Sequence, residues 1–104
     1  MKVKYLVEGG QHKAYIDGDW NALSLFLETD SVFHEAVKHV TLRERGKWMG
    51  NTTTIEFLEG SRYVIYSELE IELSRVEIYE KQFMLLLNAW RKFKSNGNEI
   101  TVTV

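Results

Sequence analysis

Apolar and polar positions alternate at the start of the chain. Val3, Tyr5 and Val7 share a side with His12, Ala14 and Ile16, while Lys4, Glu8, Gln11 and Lys13 share the other. The two runs meet at Gly9-Gly10, a pair suited to the positive φ angles of a tight hairpin turn. Pairing across it sets Val7 opposite His12, Tyr5 opposite Ala14 and Val3 opposite Ile16, which leaves one face apolar. Asp17-Gly18-Asp19 then breaks the alternation. Asp19 is placed to cap a helix that starts at Trp20 and runs through Leu23, Phe26 and Leu27. Ser31 is placed to cap a second short helix from Val32 to about Lys38, in which Phe33, Ala36 and Val37 recur at helical spacing. The chain turns extended near Val40-Thr41-Leu42-Arg43.

Gly46 to Asn51 has turn chemistry, and Thr52 to Leu58 and Arg62 to Leu73 are β-rich runs joined by Glu59-Gly60-Ser61. A two-residue loop would put Ile55 and Phe57 on the face of Glu68, Glu70 and Glu72. A three-residue connection puts them with Tyr63, Ile65, Leu69, Ile71 and Leu73, and this single apolar face is the better register. It sends Glu56, Glu68, Glu70 and Glu72 together to the opposite side. The second run is long for a strand, so a bulge or bend is expected within it. Ser74-Arg75-Val76-Glu77 fits a capping box. Behind it Val76, Tyr79, Phe83, Leu86, Leu87, Trp90 and Phe93 recur at three- and four-residue spacing, and Asn96-Gly97 ends the helix. Glu99 to Val104 reads as a last alternating strand. This order predicts an α+β domain: a mainly antiparallel sheet of about six strands, with one long C-terminal helix and one or two short helices packed on it. The connection through the long helix would allow its flanking strands to be parallel neighbours.

The chain has 104 residues, 44% of them apolar and 27% charged, with no proline and no cysteine. That is the size of one domain, so residues 1–104 are read as a single unit. Without cysteine there is no disulfide, thiolate metal site or cysteine nucleophile. The N-terminal segment reads as a strand rather than a signal peptide, and no run of about 18 apolar residues occurs, so a cytoplasmic protein without a membrane span is expected. Lys+Arg 13 against Asp+Glu 15 gives a net charge of −2, which argues against wholesale nucleic-acid binding.

Candidate chemistry is sparse. Asp17, Asp19, Asn21 and Glu28 imitate a calcium loop, but Ala22 stands where the loop needs glycine, and the surrounding apolar residues are spaced to start a buried helix. Asn51-Thr52-Thr53 is a glycosylation sequon, read as a turn into a strand. His34 and His39 lie five apart, on different faces of a helix, so His12, His34 and His39 make no metal site. No serine has a nucleophile-elbow context and no phosphate loop exists. Neither a catalytic group, a cofactor nor a metal is expected.

Charge is unevenly distributed. Residues 51–80 carry two basic and seven acidic side chains, a net −5, and residues 81–104 carry four and one, a net +3. On a strand, Glu68, Glu70 and Glu72 would project to one side at about 7 Å intervals, near the phosphate spacing of a nucleic-acid strand. Such a stripe, with Glu56 and with Tyr66 as aromatic anchor, suits the basic cleft of a nuclease. The alternative is a solvated face whose like charges deter edge pairing. A second patch, Arg43, Arg45 and Lys47 beside Trp48, has the cations and aromatic of a single-strand RNA or DNA binder, but it is small and close to the acidic run.

The stretch Tyr66-Ser67-Glu68-Leu69-Glu70-Ile71-Glu72, the stretches Gly46 to Thr52 and Leu86 to Trp90, and the small size without a catalytic constellation resemble small bacterial immunity proteins of contact-dependent growth inhibition and polymorphic toxin systems. The resemblance implies a cytoplasmic, non-enzymatic antidote. It would bind a cognate toxin domain, often a nuclease, and block its active site or substrate entry. No functional residue is carried over from it.

Overall fold

The structure, a computed structural model, describes residues 1–33 and 46–104. The class is α+β, and the antiparallel strands divide between two sheets. The first hairpin, β1 (Lys2–Glu8) and β2 (Gln11–Ile16), has the expected register, with Val3, Tyr5 and Val7 opposite Ile16, Ala14 and His12. Gly9 and Gly10 have φ of 59° and 77°, the left-handed pair that turns strands with their natural twist. Asp17-Gly18 folds the chain back so that Asp19 bridges to Ile16, which holds Asp19 at the sheet edge. The helix therefore starts two residues later than expected. Asn21 rather than Asp19 caps α1 (Ala22–Leu25), its Oδ1 accepting from Leu23 N and Ser24 N, while Ser24 Oγ accepts from Asn21 N.

A π-helical turn, Phe26–Asp30, extends α1 into a 3-10 turn, Ser31–Phe33. The Ser31 hydroxyl donates to Leu27 O at 2.8 Å, and the helix it was expected to cap runs beyond the described residues. The rest of the expected second helix and the extended stretch at Val40 to Arg43, with His34, His39, Arg43 and Arg45, lie outside the described residues.

The second sheet has the order β3 (Lys47–Met49), β4 (Thr54–Leu58), β5 (Arg62–Tyr66), β6 (Val76–Tyr79). The three-residue connection is as the register argument requires: Leu58 pairs with Arg62, Phe57 with Tyr63 and Ile55 with Ile65. The helix expected from Ser74 begins instead at Glu80, as α2 (Glu80–Asn96). Val76 and Ile78, β-branched and alternating, complete a strand on the open side of β5, pairing Ile65 with Val76 and Tyr63 with Ile78. Gln82 Oε1 then accepts Tyr79 N, which ties the first turn of α2 to the end of β6. Gly97, in the left-handed region, donates its N–H to Phe93 O and ends the helix where Asn96-Gly97 implies. β7 (Ile100–Thr103) joins β1 antiparallel, so β6 and β7 lie in different sheets and are not parallel neighbours.

α2 bridges the sheets through aromatic side chains. Phe83, near its start, meets Tyr63 of β5 and Phe26 of the π-helical turn, each at 5.5 Å between ring centroids. Trp90 and Phe93 meet Tyr5 of β1 at 5.0 and 5.8 Å. Both inner sheet faces, α1 and α2 thus share one hydrophobic cluster. Tyr5 is fully buried and donates its phenol to Leu86 O at 2.9 Å, and burial holds that phenol far above the ordinary tyrosine range.

A buried carboxylate sets the approach to β4. Asp30 is 0% exposed, and among the described residues five donors converge on it. Asn51 N reaches Oδ1, and Thr52 N, Thr52 Oγ1, Thr53 N and Thr53 Oγ1 reach Oδ2, at 2.8–3.1 Å. Gly50 makes the close approach possible: a Cβ there would stand 2.6 Å from Asp30 Oδ2 and 2.7 Å from the Trp48 ring.

These contacts have measurable consequences for stability. Asp30→Ala strands buried donors on the 51–53 turn and should lower unfolding free energy by about 3 kcal/mol. Gly50→Ala should act in the same direction, and denaturant titration checks both. Tyr5→Phe should cost about 1 kcal/mol at neutral pH. The raised folded value of Tyr5 means its contribution is complete below the unfolded tyrosine value of 10.0 and is lost as pH rises above it. Wild type should therefore lose more stability than Tyr5→Phe when the titration is repeated above about pH 10.

Candidate functional site

The long run from Arg62 does not stay in the sheet to Leu73. β4 meets Tyr66 at its first residue, Thr54, and β6 meets Ile65 with its first residue, Val76, so beyond Tyr66 neither neighbouring strand continues the ladder. The chain leaves the sheet at Ser67 and returns at Val76. Glu68, Glu70 and Glu72 consequently lie on a loop, not on a strand face, and the regular strand spacing expected of them is absent. Leu69 and Ile71, expected on the core side, are 74% and 80% exposed.

The loop has internal supports. The Ser67 hydroxyl donates to Thr52 O at 2.7 Å and accepts Glu70 N at 3.0 Å, and Leu73 N closes on Glu70 O at 3.1 Å. Thr52 is itself held by Asp30. The buried carboxylate is therefore connected through one turn and one serine to the centre of the acidic segment.

Tyr66 links this loop to the sheet. Burial first, then the charge of Glu56 and its hydrogen bond, push the Tyr66 phenol above its usual range; Lys47 opposes this and Glu68 adds slightly. Glu56 stands opposite Lys47 on the neighbouring strand, and Lys47 Nζ lies 3.9 Å from Glu68 Oε1. The Arg75 guanidinium covers the Tyr66 ring at 4.6 Å from its centroid. Glu56, Tyr66 and Glu68 are thus brought together, with Lys47 and Arg75 as partial counter-charges. Glu70 and Glu72 extend outward from this group, and among the described residues neither is ion-paired.

The second patch fares differently. Lys47 belongs to the acidic group, and Trp48 is 7% exposed, its ring packed edge-on against Phe26 at 5.9 Å. An indole so placed offers no open face for base stacking. The groups of the calcium-like stretch point to separate partners. Asp17 Oδ1 accepts Lys2 N, Asn21 caps α1, and Glu28 accepts Lys13 Nζ, Ala14 N and Trp20 Nε1. Among the described residues no three His, Asp or Glu side chains gather as a metal site, and no helix is long and apolar enough to cross a membrane.

Sequence reasoning did not mark Asp30 or Ser67 as site residues, and it assigned Leu69 and Ile71 to the core rather than to the surface. For the loop, the length of the Arg62–Leu73 run was the available signal; for Asp30, whose partners lie more than twenty residues on, none was.

Comparison with protein-family models, curated proteins and solved structures returns no match. The resemblance to immunity proteins therefore rests on the quoted residues alone.

Ser67→Ala should release the loop while leaving the sheet intact. The expected result is faster hydrogen exchange at the Glu70 amide and earlier proteolytic cleavage within 67–75, with global stability lowered by only about 1 kcal/mol. Unchanged exchange at Glu70 would show that the serine does not hold it.

Proposed function

We propose that this chain is a non-enzymatic immunity protein that binds and neutralises a cognate toxin domain, a basic nuclease domain being the form that fits the charge. The observation that carries the reading is the acidic segment from Ser67 to Glu72, held outside the sheet with Glu70 and Glu72 not ion-paired among the described residues. Exposed carboxylates on a supported loop contribute little to folding. They raise the encounter rate with a cationic partner and disfavour wrong ones. Glu56 and Glu68, beside the half-buried Tyr66, add their negative charge to the same surface. The protein would act as a steric and electrostatic plug in the cytoplasm of the producing cell, with no reaction of its own.

The loop geometry changes how the plug is pictured. Without strand spacing, the glutamates do not copy a phosphate backbone residue by residue, so the reading rests on net charge and shape. The competing reading, a small RNA or single-stranded DNA binder using Lys47 and Trp48 with Arg43 and Arg45, has less support because Trp48 is buried and Lys47 sits among carboxylates.

Co-expression with the protein encoded immediately upstream in the native genome tests the proposal. The neighbour should be toxic alone and harmless with this chain. The triple variant Glu68→Lys, Glu70→Lys, Glu72→Lys should lose protection, with affinity reduced at least about a hundredfold and a thermal midpoint close to wild type. Full protection by the triple variant would refute the acidic surface as the inhibitory site, and a harmless neighbour would refute the immunity reading.

A further inference from the structure

Large apolar side chains left singly in solvent are common and need no explanation. Leu69 and Ile71 differ because they stand two residues apart on one supported loop, each between glutamates, at 74% and 80% exposure. Their neighbour Leu73 turns partly inward, and a cleft of about 410 Å³ lined by Tyr66, Glu68, Ile71, Leu73 and Arg75 lies beside them. The loop is tethered at Ser67 to Thr52 and closed between Glu70 and Leu73, so much of the ordering cost of presenting these side chains is met before any partner arrives.

We infer that Leu69 and Ile71 are apolar anchors that insert into a hydrophobic pocket rimmed by lysine or arginine on a partner protein. The inference rests on the immunity reading above and specifies the partner surface it requires. Charge decides the occupant. A two-fold symmetric pair of copies would set Glu68, Glu70 and Glu72 against the same residues, and a nucleic acid or an anionic lipid surface would meet them with further negative charge. A cationic protein surface satisfies both components: the pocket buries Leu69 and Ile71, and the rim pairs with Glu70 and Glu72. In such an interface the anchors govern how long the complex lasts, and the rim charges govern how fast it forms.

The test begins in cells that make the protein, with a benzophenone amino acid placed at Leu69, at Ile71 or, for comparison, at the exposed Leu85 of α2. Irradiation should yield one protein adduct from positions 69 and 71 and not from 85, and mass spectrometry should identify it as a basic chain. Absence of an adduct, an adduct to RNA, or an adduct to a second copy overturns the inference. With the identified protein purified, Leu69→Ser and Ile71→Ser should each raise the dissociation rate at least about tenfold and change the association rate less than about twofold. Glu70→Gln with Glu72→Gln should instead slow association and flatten its salt dependence. Wild-type dissociation rates in both serine variants overturn the anchors while leaving the acidic-surface reading intact. Silent glutamine substitutions remove the charge argument and, with it, both readings. Because all four side chains are exposed, thermal midpoints should match wild type, and binding changes are then read without a folding component.

Discussion

A carboxylate removed from water must find donors, and Asp30 has found five on one short turn. The cost of burying a charge is high enough that the geometry of those donors is strictly specified. Asp30 ends the π-helical turn that follows α1, and residues 51–53 lead into β4, so the contact fixes where the second sheet stands relative to the helical segment. Gly50 reflects the same constraint from the other side, since any side chain there would meet Asp30 and Trp48. Thr52 passes the constraint on through its carbonyl to Ser67, and Ser67 passes it to Glu70. The outer acidic loop thus takes its position from a charge in the interior.

The second organising feature is α2. Its buried residues Phe83, Leu86, Leu87, Trp90 and Phe93 follow a single stripe, but the stripe serves two sheets in turn. Phe83 closes on Tyr63 and Phe26, and Trp90 and Phe93 close on Tyr5. Seventeen helical residues span the distance that lets one element cover both partners. Because the sheets are joined through shared aromatic packing rather than through a common ladder, β6 and β7 can flank the helix in sequence without being neighbours.

What was legible in the chain was local. The hairpin register followed from alternation plus Gly9-Gly10, and the three-residue connection followed from requiring one apolar face for Ile55, Phe57, Tyr63 and Ile65. The buried stripe of α2 followed from its spacing, and its end from Asn96-Gly97. The departures arise where a tertiary neighbour outweighed a local signal. Ser74 to Glu77 has capping chemistry, yet β5 had an open edge, and Val76 and Ile78 filled it. Tyr66 to Leu73 alternates as a strand should, yet strand partners exist only as far as Tyr66. Asp19 had the residue type of a cap, yet its bridge to Ile16 took it out of position and left the role to Asn21. Asp30 is the extreme case, because nothing in its surroundings along the chain announces donors at Asn51, Thr52 and Thr53.

The alternation of Glu68, Leu69, Glu70, Ile71 and Glu72 therefore means something different from what it would mean in a sheet. In a strand, period two sorts residues between a buried and a solvated face, and the apolar half disappears from the surface. On this loop both halves stay outside, so carboxylates and aliphatic side chains are offered together. Negative charge alone would favour any cationic surface and give little persistence once salt screens it. Apolar side chains alone would invite self-association, which the flanking glutamates oppose. The combination narrows the set of surfaces that can be bound well to those presenting cations around a hydrophobic recess, and that narrowing is the physical basis of specificity in an interface of this kind.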